Sequence, residues 1–128
     1  MIRINHLGKD YGNFTALSDL SLDIPDGELF CILGPNGAGK TTTLKILTGL
    51  LKPTRGEACI NGYDISQHSI ESRKVLGYIP DMPYLYDRLS IAEFCEFIAD
   101  LYSVPEQEAE METARLLELF SLSDYKNA

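Results

Sequence analysis

The chain has 128 residues, of which 45% are hydrophobic and 23% are charged. This length fits one ordinary domain, and the composition is that of a folded globular protein rather than a disordered one. Nineteen acidic residues against eleven basic ones give a net charge of -8. The basic residues do not cluster, so direct binding to DNA or RNA is disfavoured.

The cysteines and the apolar runs indicate in which cellular compartment the chain is found. Its cysteines are Cys31, Cys59 and Cys95, odd in number and far apart. Neither a disulfide framework nor a paired-cysteine metal site can be built from such positions, and we expect reduced thiols. The longest strictly apolar run is residues 29–33, far below the roughly 18 residues that span a bilayer. Because the N-terminus also lacks the apolar core of a signal peptide, we expect a soluble, cytoplasmic chain.

Strand and helix patterns alternate in the first part of the chain. Residues 20–24 alternate apolar and polar side chains, as a half-buried strand does, and a Pro-Asp-Gly turn follows. The continuous apolar run within residues 28–33 predicts a central strand covered on both faces. Leucines at helical spacing then predict a helix over residues 40–51, which Pro53 closes. The order is therefore strand, glycine-rich loop, helix.

Shorter elements are predicted downstream of this helix. A strand is expected around residues 57–60, followed by a turn at residues 61–62. Residues 69–76 predict a short helix that leads into a strand over residues 77–80, ended by its proline. All of this belongs to a strand-rich α/β part, which we assign to residues 1–88.

The last part of the chain is helical in pattern, and we assign residues 89–128 to the beginning of a helical subdomain. Ser90 and Glu93 have the spacing of a capping box, and Leu89 and Phe94 have that of a hydrophobic staple. A second helix is expected from about residue 105 to residue 120. Its predicted inward positions are Met111, Ala114, Leu117 and Phe120.

One sequence motif predicts a specific chemical function. Residues 34–41, GPNGAGKT, fit the phosphate-binding pattern G-x-x-x-x-G-K-[ST]. Glycines let successive backbone amides turn inward, and the start of the following helix adds partial positive charge. Lys40 can then place its charge on the β- and γ-phosphates, while the hydroxyl of Thr41 can ligate Mg²⁺. A glycine-rich turn with no ligand is the alternative, but it has no use for these two side chains.

The amino-acid sequence around the motif resembles that of a known family. "GPNGAGKTTT" follows "GELFCIL", with "LTGLLKPTRGEACINGYDI" and "LGYIPD" downstream. Over nearly its whole length the chain is similar to the N-terminal portion of an ABC-transporter ATP-binding subunit, most of all the exporter types that serve drugs or antibiotics. The resemblance implies an α/β P-loop NTPase fold with an antiparallel β subdomain, a P-loop strand–helix unit, the start of a helical subdomain and an incomplete core. It also implies ATP and Mg²⁺ as cofactors.

The resemblance assigns further nucleotide contacts. Tyr11, in "KDYG", matches the aromatic residue that stacks on adenine, a contact worth about 1–3 kcal/mol and tolerant of base identity. An ordinary strand-end tyrosine is the alternative. The hydroxyl of Thr42 is expected near the α-phosphate. The full set of expected nucleotide-binding residues is Tyr11, Gly34, Pro35, Asn36, Gly37, Ala38, Gly39, Lys40, Thr41, Thr42 and Thr43.

Asp81 departs from the family pattern. After "GYIP" the family carries glutamine, or glutamate in many exporter types, which reaches Mg²⁺ and the attacking water. Asp81 keeps the acceptor oxygens with a shorter side chain, so a water-mediated contact is the expectation. The alternative is a loop aspartate that begins a turn. Asp81 is the chain's one candidate for a catalytic role, with a second candidate role as a metal ligand beside Thr41.

Hydrolysis in the family uses an apolar strand ending in Asp-Glu, a Ser-Gly-Gly signature and a late histidine. None of these occurs in the chain, since His6 and His68 both precede the expected place. We therefore expect a truncated chain that binds ATP at most, and is inactive alone, from an intact protein that is an ABC-type ATPase. In the family fold, strands from the missing half lie between residues 28–33 and residues 77–80. Apolar strand edges should therefore remain open.

The resemblance also implies partners. They are a second ATP-binding subunit and a transmembrane permease subunit. Through the permease, the protein would lie peripherally at the cytoplasmic face of the cell membrane. Tyr84, Leu85 and Tyr86 would offer the permease an apolar docking surface, or else pack within the domain. No nucleic-acid partner is expected. The alternative function is that of a soluble ABC-type ATPase acting in translation or DNA repair, against which the acidic balance argues mildly.

Overall fold

A computed structural model describes residues 1–82 and 85–127 of the chain. By its internal contacts the chain divides into two compact units, Met1–Ile79 and Pro80–Ala128. The first unit contains an antiparallel sheet and two helices. The second unit contains two longer helices and a short 3-10 turn at Ser123–Tyr125. Among the described residues, no helix is long and apolar enough to cross a bilayer.

The sheet of the first unit has four strands, all paired antiparallel, in the order β2-β1-β3-β4. The strands are β1 (Ile2–Tyr11), β2 (Phe14–Ile24), β3 (Arg55–Ile60) and β4 (Tyr63–Asp64). The predicted strands at residues 20–24 and 57–60 are confirmed as parts of β2 and β3. The antiparallel β part of the expected fold is thus present.

An irregularity in β1 explains why the sequence pattern did not predict this strand. His6 has a left-handed φ of 47°, and the pairing of β1 with both neighbours shifts register between Ile4 and Gly8. A bulge of this kind interrupts the alternation of inward and outward side chains. Across from it, Gly56 has a φ of 74°, and a Cβ there would overlap the His6 carbonyl. The bulge therefore depends on a glycine in the neighbouring strand.

The core of the first unit lies between the sheet and helix α1 (Lys40–Leu47). Leu7 of β1 and Ile46 of α1 are both 0% exposed. Fully burying a side chain of this kind stabilises the fold by roughly 1.5–3 kcal/mol. The remaining buried members of the cluster are Ile4, Leu47, Ala58, Ile60 and Ile65. This packing fixes α1 on the sheet, and with it the loop at the start of α1.

Helix α1 begins at Lys40 as predicted and ends earlier than predicted, at Leu47 rather than residue 51. Gly49 stops it by adopting a left-handed φ of 73°, with its amide bonded to the carbonyl of Ile46 at 3.0 Å. Glycine is the residue that most readily takes this conformation after a helix. The short helix predicted at residues 69–76 is present as α2 (Ser69–Lys74).

Two predicted strands are wrong for this structure. Residues 28–33 and 77–80 have no strand assignment, and Leu29 and Ile79 are 100% and 91% exposed. A strand exists only with a hydrogen-bonded neighbour, and within the described residues neither segment pairs with one. Several of their apolar side chains are exposed, as expected of an incomplete core, but neither segment forms the open strand edge that was predicted.

The second unit begins its helical part with the predicted capping box. The Ser90 hydroxyl accepts the Glu93 amide at 3.3 Å, and the Glu93 carboxylate accepts the Ser90 amide at 2.8 Å. Helix α3 (Ile91–Leu101) follows directly. Two orphan donors at the helix start are satisfied by local side chains, which confirms the predicted cap.

Helix α4 (Glu106–Leu119) occupies the predicted range, but most of its predicted inward face is wrong. Only Leu117 is buried, whereas Met111 and Phe120 are 63% and 66% exposed. Positions three residues apart drift by about 60° around a helix at each step, so four of them cannot share one narrow face. The half-buried side chains of α4 are Ala109, Thr113 and Leu116, and the predicted inward residue Ala114 is exposed.

Candidate nucleotide-binding site

The predicted phosphate loop is an irregular turn that leads directly into α1. Gly37 and Gly39 have left-handed φ values of 86° and 84°. The Ala38 amide donates to the Pro35 carbonyl at 3.3 Å, which closes the turn. A residue with a Cβ would lose about 1–2 kcal/mol in the left-handed region, so both glycines serve the loop conformation.

Gly39 also packs closely against the sheet. A Cβ at this position would lie 2.8 Å from the carbonyl oxygen of Ala16 and 3.3 Å from Cδ1 of Leu17. Both contacts belong to β2. The end of the loop therefore rests against the β2 backbone at a distance that only glycine allows.

The start of α1 presents free amides beside the loop. The amide of Thr43 makes the first helical bond, to the Gly39 carbonyl at 2.8 Å. By helix geometry the amides of Lys40, Thr41 and Thr42 precede that bond and have no acceptor within the helix. No side chain caps them, because the N-cap residue is Gly39. Such a helix start carries partial positive charge and suits an anion.

Lys40 carries a full positive charge into the same place. Its Nζ donates to the carbonyl oxygens of Gly34 and Pro35 at 2.6 and 2.7 Å. The ammonium group is therefore held over the loop rather than extended into solvent. Phosphate oxygens are stronger acceptors for an ammonium than neutral carbonyls are. The arrangement can exchange these two bonds for bonds to an anion in the loop.

The three threonines at the start of α1 differ in exposure. Thr43 is 2% exposed, and its hydroxyl donates to the Gly39 carbonyl at 3.0 Å. Its side chain therefore stabilises the junction of loop and helix from inside. Thr42 is half-buried and Thr41 is exposed. Of the three hydroxyls, that of Thr41 has the freest access to a ligand.

Tyr11 ends β1, pairs with Phe14 across the hairpin and is 50% exposed. Phe14 lies two residues before Ala16, the residue that contacts Gly39, which is about 7 Å along a strand. The aromatic ring and the phosphate loop therefore lie at the same end of the sheet. The Nζ of Lys9 is 5.2 Å from the ring centroid, a distance that allows a cation–π interaction.

The remaining predicted site residues are those of the loop, Asp81 and the predicted permease-docking residues. Pro35 and Asn36 are exposed in the loop, and Asp81 is exposed in the second unit. Of the predicted docking residues, Tyr84 lies outside the described residues. The ring centroid of Tyr86 is 5.6 Å from that of Phe97. Tyr86 is nevertheless 59% exposed and Leu85 is 63% exposed, so the docking surface stays a prediction.

Two basic residues near Tyr11 were missed by sequence reasoning. They are Lys9, beside the ring, and Arg55, whose guanidinium group pairs with the carboxylate of Asp10. Their roles follow from the register of β1 with its neighbours, which the sequence pattern does not give. The available signal was the pair of glycines next to them, Gly8 and Gly56, since glycine within a strand often marks a close approach.

Comparison with known proteins identifies the family. The family model described as "ABC transporter" matches residues 17–128. The human "Phospholipid-transporting ATPase ABCA3" is 43% identical over 131 aligned residues, covering 99% of this chain and 8% of that protein. "Uncharacterized ABC transporter ATP-binding protein YhaQ" of Bacillus subtilis is 37% identical, covering 99% of this chain and 42% of that protein. "Probable multidrug ABC transporter ATP-binding protein YbhF" of Escherichia coli is 35% identical, covering 95% and 21%.

Solved structures agree with the sequence comparison. A structure of the ATP-binding subunit of an ABC transporter superposes with a TM-score of 0.88 at 33% identity, covering all of this chain and 53% of that one. A dimeric, post-hydrolysis ATP-binding cassette bound to ADP and Pi superposes with a TM-score of 0.78 at 26% identity, covering 99% and 60%. This chain thus spans between 8% and 60% of the length of these relatives. It belongs to the ABC transporter family and has the P-loop NTPase fold of that family's ATP-binding domains.

Proposed function

We propose that the chain supplies the ATP-binding part of an ABC ATPase that powers the transport of a substrate across a membrane. The observation that carries the proposal is the position of Lys40, whose charge is held over a glycine loop at the start of α1. Gly37 and Gly39, with left-handed φ values of 86° and 84°, give the loop the turn that leads into α1. These features fit the phosphate chain of a nucleotide, which backbone amides and one cation can hold together.

The individual roles follow from the chemistry of each group. Lys40 binds the β- and γ-phosphates, and the amides at the start of α1 bind the same phosphate chain. The loop residues Gly34, Pro35, Asn36, Gly37 and Ala38 supply backbone around the phosphates. Tyr11 stacks on the adenine ring.

A divalent cation fits the hydroxyl of Thr41, which is exposed next to Lys40. Mg²⁺ takes oxygen ligands and keeps several waters, so one hydroxyl and the phosphates are a suitable set. Asp81 stays a sequence prediction as a second candidate ligand. When bound, the cation neutralises charge that develops on the phosphates.

Turnover needs groups beyond this site. Charge neutralisation is available from Lys40 and the helix start, but an oriented water and a second set of charges are also required for hydrolysis. In the proposal these come from other residues and from a second ATP-binding subunit, as the similar dimeric cassette suggests. A permease subunit supplies the route for the substrate and keeps the protein at the cytoplasmic face of the membrane.

The test is to measure ATP binding and ATP turnover on the same purified chain. We expect Mg²⁺-ATP to bind, and phosphate release to equal that of the Lys40→Met variant. Release that depends on Lys40 would contradict the proposed division of labour between binding and hydrolysis. No binding of ATP would contradict the proposal as a whole. A further test uses the intact protein together with permeases encoded by neighbouring genes. If the protein hydrolyses ATP but drives no transport with any of them, the soluble type of ABC ATPase is favoured instead.

A further inference from the structure

We infer that Arg55 is a positioning residue for the base end of the nucleotide. It ties the end of β1 that carries Tyr11 to the part of β2 that supports the phosphate loop. The inference rests on the proposed function, because it takes Tyr11 as the residue that stacks on the base. In this inference Arg55 acts through Tyr11 and not on the nucleotide directly.

The guanidinium group of Arg55 joins two strands. On β1 it forms an ion pair with the carboxylate of Asp10, the residue before Tyr11. On β2 its Nε and one terminal nitrogen donate to the carbonyl of Ser18 at 3.2 and 2.7 Å. Ser18 lies two residues after Ala16, the residue in contact with Gly39. The rigid, planar guanidinium group therefore links Asp10, next to the base-stacking Tyr11, to Ser18, near the β2 residue that contacts the phosphate loop.

Gly8 makes this link possible. A Cβ at Gly8 would lie 2.5 Å from Nε and 2.7 Å from Cγ of Arg55. The arginine therefore crosses β1 at the one place where that strand has no side chain. This explains a glycine in the middle of a strand, where it otherwise costs stability.

The residues before Arg55 attach to the same part of β1. The Thr54 amide donates to the Gly8 carbonyl at 2.8 Å, and the Asp10 amide donates to the Thr54 hydroxyl at 3.0 Å. Nζ of Lys9 donates to the Lys52 carbonyl at 2.9 Å. Residues 52–54 belong to the connection between α1 and β3, so this connection also relates the end of β1 to helix α1.

Asp10 is held as a carboxylate in this network. A hydrogen bond from the Thr15 hydroxyl at 2.8 Å is the main cause that lowers the pKa of Asp10, with Arg55 as a further cause. Thr15 lies in β2, on the opposite side of the hairpin turn from Asp10. The hairpin that presents Tyr11 is thus joined across its two strands by a charged cluster.

Fixing Tyr11 relative to the loop in advance favours a ligand that spans both places. A rigid site loses less conformational entropy on binding than one that must be ordered. The benefit applies to ATP, which would contact both Tyr11 and the loop. It does not apply to inorganic tripolyphosphate, which has no base and would use the loop alone.

The experiment compares Mg²⁺-ATP with Mg²⁺-tripolyphosphate on the whole chain. For Arg55→Met we expect the ATP affinity to fall about 5-fold, a part of the stacking contribution, with tripolyphosphate changed by less than about two-fold. The matched control is Arg3→Met, because Arg3 pairs with Asp23 at 3.1 Å between the same two strands but near their other ends. We expect that control to bind both ligands as the parent chain does.

Tyr11→Ala separates failure of this inference from failure of the proposed function. If Tyr11→Ala leaves the ratio of the two affinities unchanged, the base site itself is wrong, and the Arg55 inference fails with it. If Tyr11→Ala weakens only ATP but Arg55→Met weakens neither ligand, or both equally, the Arg55 inference alone is overturned. In the Tyr11→Ala background, Arg55→Met should cause no further loss of ATP affinity.

A conservative variant tests the inference if Arg55→Met does not fold. Arg55→Lys keeps a charge beside Asp10 but lacks the planar group that also reaches Ser18. If Arg55→Met does not fold, Arg55→Lys should still weaken ATP more than tripolyphosphate. Equal weakening of the two ligands by Arg55→Lys would overturn the inference.

Discussion

Replacing Gly39 by alanine tests how the phosphate loop is supported by the sheet. The added Cβ would meet the Ala16 carbonyl oxygen at 2.8 Å, and the residue has a φ of 84°. The left-handed conformation costs about 1–2 kcal/mol, and overpacking against a backbone atom adds about 1–3 kcal/mol. The expected loss in the free energy of unfolding is therefore about 2–5 kcal/mol.

Gly37→Ala is the matched control. Gly37 has nearly the same φ, 86°, but a Cβ there would have no atom of the described residues within 4 Å. This variant should lose only the conformational part, about 1–2 kcal/mol. The difference between the variants isolates the contact of the loop with β2.

The assay is urea unfolding followed by circular dichroism, together with a titration of Mg²⁺-ATP at a urea concentration where both variants are folded. We expect Gly39→Ala to unfold at a lower urea concentration than Gly37→Ala and to bind ATP more weakly. Equal free energies of unfolding, within about 0.5 kcal/mol, would refute the contact between Gly39 and the sheet.

Other predictions concern the core and the helical cap. Leu7→Ala, at a side chain that is 0% exposed, should lower the free energy of unfolding by about 2–5 kcal/mol, whereas Ile70→Ala, 62% exposed, should change it by less than about 0.5 kcal/mol. Similar values for both would contradict the assigned core. Ser90→Ala should destabilise α3 by about 1 kcal/mol, detected by amide exchange in that helix. Hydrogen bonds from the Ser90 amide and hydroxyl lower the pKa of Glu93. The part of the cap made by the Glu93 carboxylate should therefore contribute fully above the ordinary pKa of glutamate and be lost as the pH falls through the lowered value. Glu93→Gln should remove this pH dependence, and an unchanged acid transition would contradict it.

Local signals in the sequence were sufficient for some elements. The capping box at Ser90 and Glu93 and the start of α1 at Lys40 each depend on residues a few positions apart, and both are confirmed. The turn at Asn61 and Gly62 is likewise present, with left-handed φ values of 49° and 85°. These features require no knowledge of what the segment packs against.

Features that depend on distant partners were not predictable in the same way. The pattern of β1 is broken by the bulge at His6, which is stable because Gly56 leaves room for it. Residues 28–33 have the composition of a strand, but composition does not supply a neighbouring strand. The contacts of Arg55 depend on which residues of β1 and β2 lie opposite it. The phosphate loop could be located from its motif, whereas the residues that support it required the fold.

The charge of Lys40 is the central element of the proposed site, and one comparison tests it directly. Lys40→Met and Lys45→Met remove the same group from the same helix, but Lys40 lies over the loop whereas Lys45 is exposed in the last turn. A charge-assisted hydrogen bond is worth about 1.5–3 kcal/mol, so Lys40→Met should weaken Mg²⁺-ATP binding by about 10–150-fold. Lys45→Met should change it by less than about two-fold, because an exposed charge is screened by salt. Equal affinities for the two variants in an isothermal titration would contradict the assignment of the nucleotide site.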